Sequence, residues 1–298
     1  MKGMTIIMSN IKKVSDKLNH RDLLSAEMNR KPYTRTKIVG GYDAYKDNNG
    51  VTRFGEVVFE TENMIVLGGS LFTLEKVFGV QSPLTVDYLN NKMDIATGGA
   101  EISEVYPKDT VVCLFGVGIG GSGESMTDVK PVNYNEDGIV DMIPLRLTND
   151  ELTVSEKEKY WFKTTMNVEN GGPKTAYYLK TFENAPEIKV LWKDGEGDED
   201  GSEVNNIDSS VTYPTPIETF VELTLKISKK DVREYFDAMG HTEQTRVNSI
   251  GLFTGIKADI GNGEYDYKQV KLFSKLNINN EMLTQAKDLT IVYRIYTS

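Results

Sequence analysis

Two stretches of the chain carry residue types whose spacing could do chemistry. Gly116-Val117-Gly118-Ile119-Gly120-Gly121 satisfies GxGxxG directly after the apolar run Val111-Val112-Cys113-Leu114-Phe115. A phosphate or dinucleotide site built on such glycines needs a helix to begin there, because the amides at the helix N-terminus hold the anion. The chain instead continues Ser122-Gly123-Glu124-Ser125-Met126-Thr127-Asp128 and then Val129-Lys130-Pro131, with no apolar helical face and no Gly-Lys-Ser/Thr ending. Residues 116–123 therefore read as a flexible glycine-rich loop, and no cofactor is expected. The second stretch, Asp194 to Glu203, offers hard oxygen ligands in Asp198, Glu199, Asp200 and Glu203. It lacks the alternating ligands and distant closing glutamate of an EF-hand, so a solvated acidic loop is expected, with Asp198, Asp200 and Glu203 as calcium candidates. Asp43, Asp47 and Asn49 form a weaker version of the same pattern.

Other chemistry finds little support. Cys113 is the only cysteine, so no intrachain disulfide can form, a reducing compartment is the natural setting, and its apolar surroundings predict a small buried hydrophobe. His20 and His241 stand far apart, in no HxxxH, HxxE or HxH pattern, which argues against zinc. There is no Gly-x-Ser-x-Gly, and two histidines leave little from which to build a triad. The 44 acidic residues single out no catalytic pair. Tyr160-Trp161-Phe162 and Tyr177-Tyr178 read as core aromatics. No catalytic residue is assigned and no enzymatic activity is expected.

The elements that would position any site are mostly strands. Thr34 to Leu67 alternates and turns as a hairpin or meander around Asp47-Asn48-Asn49-Gly50. Val111 to Val117, Lys174 to Phe182, Glu187 to Trp192 and Thr219 to Ile227 read as further strands. Three apolar stretches from Val247 onward are separated by Gly261-Asn262-Gly263 and by Asn277 to Lys287. The close, Leu289 to Tyr296, alternates and is rich in β-branched and aromatic residues, as a strand inside a sheet should be. Its Leu289, Ile291, Tyr293 and Ile295 face should enter the core, and the Val292 and Tyr296 side should be half covered. Helical spacing appears at Leu71 to Gly79 and Thr85 to Met93. A capping box at Ser155-Glu156-Lys157-Glu158 predicts a helix through Tyr160, Trp161, Phe162 and Met166. Ser228 predicts the start of another, with Val232, Tyr235, Phe236 and Met239 on one face and Gly240 at its end. No βαβ rhythm and no internal repeat is present. The expected fold is α+β and β-dominated, an antiparallel sheet or sandwich with a few peripheral helices.

Before this body, Val14, Leu18, Leu24 and Met28 recur at near-helical spacing between charges, and Lys31-Pro32-Tyr33 breaks the pattern. Residues 1–30 are therefore expected to be an N-terminal helical arm that lies against the body or a neighbouring subunit, with those four residues as its interface, and residues 31–298 a single β-rich body with long polar loops. Hydrophobic residues at 39% and charged residues at 26% suit a folded chain. A net charge of −10 argues against a surface that grips nucleic acid. No apolar run approaches the roughly 20 residues that cross a bilayer, so neither a signal peptide nor a membrane span is expected.

GGSLFTLEKVFGVQ (68–81), VVCLFGVGIGG (111–121), KTAYYLKTFENAPEIKVLW (174–192) and the last 49 residues or so, from IGLFTGIKADIGNGEYDYKQVKLFSKL onward, resemble virion structural proteins of tailed bacteriophages, those with contractile tails especially. The resemblance is one of texture and brings no catalytic motif. It implies a non-enzymatic, multi-copy particle component, made in the host cytoplasm and located in the virion, whose partners are copies of itself and other virion proteins. A neck or head–tail-junction ring is the first expectation, since an acidic lining would let DNA pass without retaining it, followed by collar, capsid-associated and baseplate positions. No specific nucleic-acid binding, membrane or small-molecule substrate is expected. Two readings from other classes stand beside it: an enzyme using the 116–123 loop with nearby carboxylates, and a calcium-dependent carbohydrate-binding module using the Asp194 loop.

Overall fold

Apolar–polar alternation interrupted by turn residues produces a chain of strands. The computed structural model describes residues 34–47, 51–62, 64–65, 69, 72–73, 76, 94–96, 108–121, 139, 141–168, 171–192, 202–203, 217–261, 264–283 and 287–297. In order these form β1 (Thr34–Lys46), β2 (Thr52–Glu62), β3 (Met64–Ile65), β4 (Asp94–Ala96), β5 (Val111–Gly118), β6 (Met142–Ile143) and β7 (Arg146–Thr148). Then come α1 (Val154–Lys157), β8 (Tyr160–Val168), β9 (Gly172–Thr181), β10 (Glu187–Trp192), β11 (Ser202–Glu203) and β12 (Ile217–Ile227). The chain ends with α2 (Arg233–Ala238), β13 (Arg246–Gly261), β14 (Glu264–Met282) and β15 (Leu289–Thr297). Phe72, Thr73 and Lys76 are helical, as the Leu71 to Gly79 spacing predicts. The N-terminal arm with Val14, Leu18, Leu24 and Met28, and the helix expected at Thr85 to Met93, lie outside the described residues.

The strands make two antiparallel sheets. One runs β11-β10-β12-β15-β1-β2; the other runs β3-β14-β13-β5-β9, with β7 and β8 both on β9, β4 on β14 and β6 on β5. The main core lies between them. Ile38, Tyr42, Leu223, Leu225, Ile291 and Tyr293 from the first sheet meet Phe115, Val117, Ile250, Leu252, Phe273 and Leu276 from the second. A smaller cluster, Leu114, Leu179, Phe253, Val270 and Leu272, covers the outer face of the second sheet. The fold is thus a β-dominated α+β sandwich.

β15 is central, paired on one side with β1 (Ile38 opposite Tyr293) and on the other with β12 (Leu225 opposite Ile291). Leu289, Ile291 and Tyr293 are buried as expected, while Ile295, expected in the core with them, is only partly buried against it. The opposite face departs from expectation: Val292 and Arg294 are 1% and 5% exposed rather than half covered. The start of β2 folds over them, and Arg294 Nη2 donates to the Thr52 carbonyl at 2.9 Å. Asp47 closes that hairpin, its amide donating to the Val51 carbonyl at 2.9 Å and its carboxylate accepting from the Val51 amide at 3.0 Å.

The helix expected from Ser155 through Met166 is a correction. The capping box is Thr153 and Glu156, and the helix it starts ends at Lys157. Tyr160 to Val168 is a strand, because the β-branched Thr164 and Thr165 and its aromatics pair along the whole of β9, and such pairing overrides local helical spacing. α2 forms where expected but begins at Arg233, and Ser228 serves the preceding turn by accepting from the Asp231 amide at 2.8 Å.

Replacing Ile291 with alanine removes a side chain with no exposure at the centre of the core. The expected loss is about 2–5 kcal/mol. Thermal melts should show a drop of several degrees for Ile291→Ala and almost none for Val57→Ala, whose side chain is 56% exposed.

Candidate functional site

The charged residues of the body that matter most are inside it. Asp231, 1% exposed, accepts from Lys180 Nζ at 2.6 Å, from the Tyr160 hydroxyl at 2.5 Å and from the Ser228 amide at 2.8 Å. Lys180 also donates to the Lys226 carbonyl at 2.7 Å. Burial and the Asp231 charge push the Tyr160 phenol well above its usual range, so it stays protonated and donates. Two cations approach the Tyr160 ring, with Lys180 Nζ 5.1 Å and the Arg146 guanidinium 5.4 Å from its centroid.

Arg146 begins a second group. It donates to Glu156 at 2.5 Å and to both oxygens of Glu234, at 2.9 and 3.2 Å. Glu234 also accepts from the Leu147 amide at 3.0 Å, which fastens α2 to β7. Glu156 accepts from the Thr153 amide at 3.0 Å and hydroxyl at 2.8 Å, which fixes α1 ahead of β8. The Arg146 hydrogen bond, followed by those from Thr153, lowers the Glu156 carboxyl to about 2. A third group surrounds Glu222, 4% exposed, which accepts from Thr52 at 2.6 Å, Lys46 at 2.7 Å and Arg294 at 3.2 Å. Burial alone would raise its pKa; the Lys46 and Thr52 hydrogen bonds and the Lys46 and Arg294 charges outweigh burial and lower it.

Between α1, β8 and the far end of the β13–β14 hairpin lies an open cleft of about 1060 Å³, lined by Trp161, Phe162, Tyr177, Tyr265 and Tyr267 with Lys163, Lys257 and Asp266 among them. Trp161 and Tyr267 meet edge to face at 4.8 Å, and Lys257 Nζ lies 4.4 Å from the Tyr265 ring centroid. Phe162 holds a left-handed φ of 57°, costly for a bulky residue, while its ring packs edge to face on Tyr178 at 5.9 Å. Burial pushes Tyr267 up to about 12. The cleft thus presents aromatic faces and solvated lysines, a surface suited to contact.

The residues singled out from sequence fall elsewhere. Gly116, Val117 and Gly118 are the end of β5 rather than a loop, because they pair with Gly251, Ile250 and Ser249 of β13. A Cβ at Gly116 would lie 2.7 Å from Met142 Cε, so glycine there allows close packing. Gly121, at φ 91°, turns the chain against the Asn277 side chain. Of the calcium candidates, Asp198 and Asp200 lie outside the described residues and Glu203 belongs to β11, opposite Leu191. Among the described residues no group of three or more His, Cys, Asp or Glu is placed to hold a metal ion. Cys113 packs against the outer cluster, and burial pushes its thiol up to about 12. The sequence reading missed the three ion-pair groups. Their signal is a lone charge inside an apolar stretch: Lys180 in YYLKTF for the first group, Arg146 in IPLRLT for the second, and Glu222 in FVELTL with Arg294 in IVYRIY for the third. No family model, curated protein or solved structure matches the chain.

Two outcomes check this description. Asp231→Ala strands Lys180 in the interior and should cost about 3–5 kcal/mol in chemical denaturation, whereas a Lys180→Met, Asp231→Leu double variant should recover much of that loss. Glu156 has a folded pKa below its ordinary 4.5, so its contribution is present above that pH and disappears as pH falls toward about 2. Stability measured across this window should fall less steeply in Glu156→Gln than in the parent.

Proposed function

We propose that the chain is a non-enzymatic structural subunit of a bacteriophage virion, a multi-copy ring component at the neck or head–tail junction. Collar, capsid-associated and baseplate positions are the alternatives. One observation carries the assembly reading. β13 pairs with β5 only from Ser249 to Gly255, and the β13–β14 hairpin continues beyond it to Gly261 and Glu264. That extension bears Ile260, 54% exposed, and Tyr265, 46% exposed, the latter lining the aromatic cleft. Aromatic and aliphatic side chains held outward on a projecting β-ribbon suit burial against another protein. The virion setting rests on the resemblance of the strand-forming passages and on the acidic charge, which suits a surface that DNA passes.

The reading is tested in purified particles. Quantitative mass spectrometry should find the chain there in many copies per particle, and a paired Ile260→Asp, Tyr265→Ser variant should fold and melt normally yet fail to be incorporated. Absence of the parent chain from particles would overturn the virion reading; normal incorporation of the variant would remove the hairpin from it.

A further inference from the structure

Exposed sheet edges are where β-proteins associate, and folded proteins usually blunt them with charge, irregularity or shortness. Among the described strands, β11, β3 and β4 are edges of two, two and three residues. β7 has α2 fastened to it through Glu234. β2 is long, but it carries Glu56, Glu60 and Glu62, and its pairing with β1 shifts register at Gly40 and Gly41.

β8 is irregular at Phe162, but beyond it the strand is neither short nor rich in charge. It pairs with β9 through the same residues, Thr175 to Tyr177, that β9 offers to β7, so β7 and β8 flank β9 and the far side of β8 has no described strand beside it. From Lys163 to Val168 its register on β9 is unbroken, with Lys163 opposite Tyr177 and Val168 opposite Gly172. Those six residues include no proline or glycine and a single charge, Lys163.

We propose that two copies of the chain associate by antiparallel pairing of the Lys163–Val168 edges of β8, joining their second sheets across a two-fold axis. The proposal rests on the multi-copy reading above and adds to the hairpin a second surface, which joins subunits of the particle in pairs. A second copy fits this edge because the pairing is self-complementary. Thr164, Met166 and Val168 lie on one face, where Met166 and Val168 already pack with Leu147 and Ala176, and the partner's same residues continue that row. The other face holds Lys163, Thr165 and Asn167, all exposed, and brings no carboxylate opposite another. The same pairing through β2 would bring the glutamates of two chains of net charge −10 together.

The full chain is the material for the test. Sedimentation should give a species of twice 33.4 kDa, and Thr165→Lys, which sets added positive charge on each edge, should shift it to monomer with an unchanged melt. Thr165→Cys or Asn167→Cys should yield a covalent dimer on mild oxidation, against the low background expected of Cys113, the only other thiol. An oligomer that resists Thr165→Lys and gives no cross-link at either position overturns the β8 assignment while leaving the multi-copy reading in place. A chain that is monomeric throughout and absent from particles overturns both. Presence in particles at high copy number without the cross-link there overturns β8 alone.

Discussion

The sandwich depends on buried carboxylates held by β12 and the turn that follows it. An unpaired carboxylate in a protein interior costs several kcal/mol, so each must find its cation and hydrogen bonds in the same place every time the chain folds. Asp231, after the end of β12, is met by Lys180 and Tyr160 from the second sheet, and the Lys180 ammonium also reaches the Lys226 carbonyl in the first. Glu222, within β12, gathers Lys46 at the end of β1, Thr52 at the start of β2 and Arg294 of β15. Apolar contact between the sheets supplies the driving force, but it is non-directional. A one-residue slip of β12 would turn Glu222 toward the apolar core and away from all three partners, so the ion pairs select a register that burial alone would leave less sharply defined.

Much of this architecture is readable from alternation. The hairpin at Asp47, the strand from Val111, those at Lys174, Glu187 and Thr219, and the inward face of Leu289, Ile291 and Tyr293 all follow from period-two patterning and turn residues. What fails does so where contacts from elsewhere in the chain decide. Tyr160-Trp161-Phe162 has helical spacing and an acidic start, yet the length of β9 beside it makes a strand the better use of its backbone. Gly116 to Gly118 looks like loop because glycine is rare in strands; the need to pass Met142 and pair with β13 is invisible without the fold. The cleft is equally illegible, since Trp161 and Tyr267 are brought together by strands more than 90 residues apart in sequence. The burial of Val292 and Arg294 depends on β2 folding over β15, a long-range closure that alternation cannot report.

The distribution of charge and apolar surface inverts the usual economy of a globular domain. Lys180, Asp231, Glu222 and Arg294 are inside, while Val154, Ile260 and Tyr265 stand outside at 80%, 54% and 46% exposure. The interior charges are compatible with folding because each of these four is joined to a partner on another segment; Asp231 also holds Tyr160 of β8, and the buried Arg146 holds α1 and α2 through Glu156 and Glu234. Of these exposed apolar groups, Val154 lies on an element that such bonds hold, while Ile260 and Tyr265 stand on the β13–β14 hairpin. Val154 is on α1, whose cap is the Glu156 carboxylate held by Arg146, and the cleft wall at Trp161 follows directly from Tyr160, which is clamped by Asp231. A surface ordered in advance loses less conformational entropy when it is covered. Internal ion pairing and external apolar exposure thus meet in one arrangement, in which the polar interior fixes where Val154 and Trp161 stand at the surface.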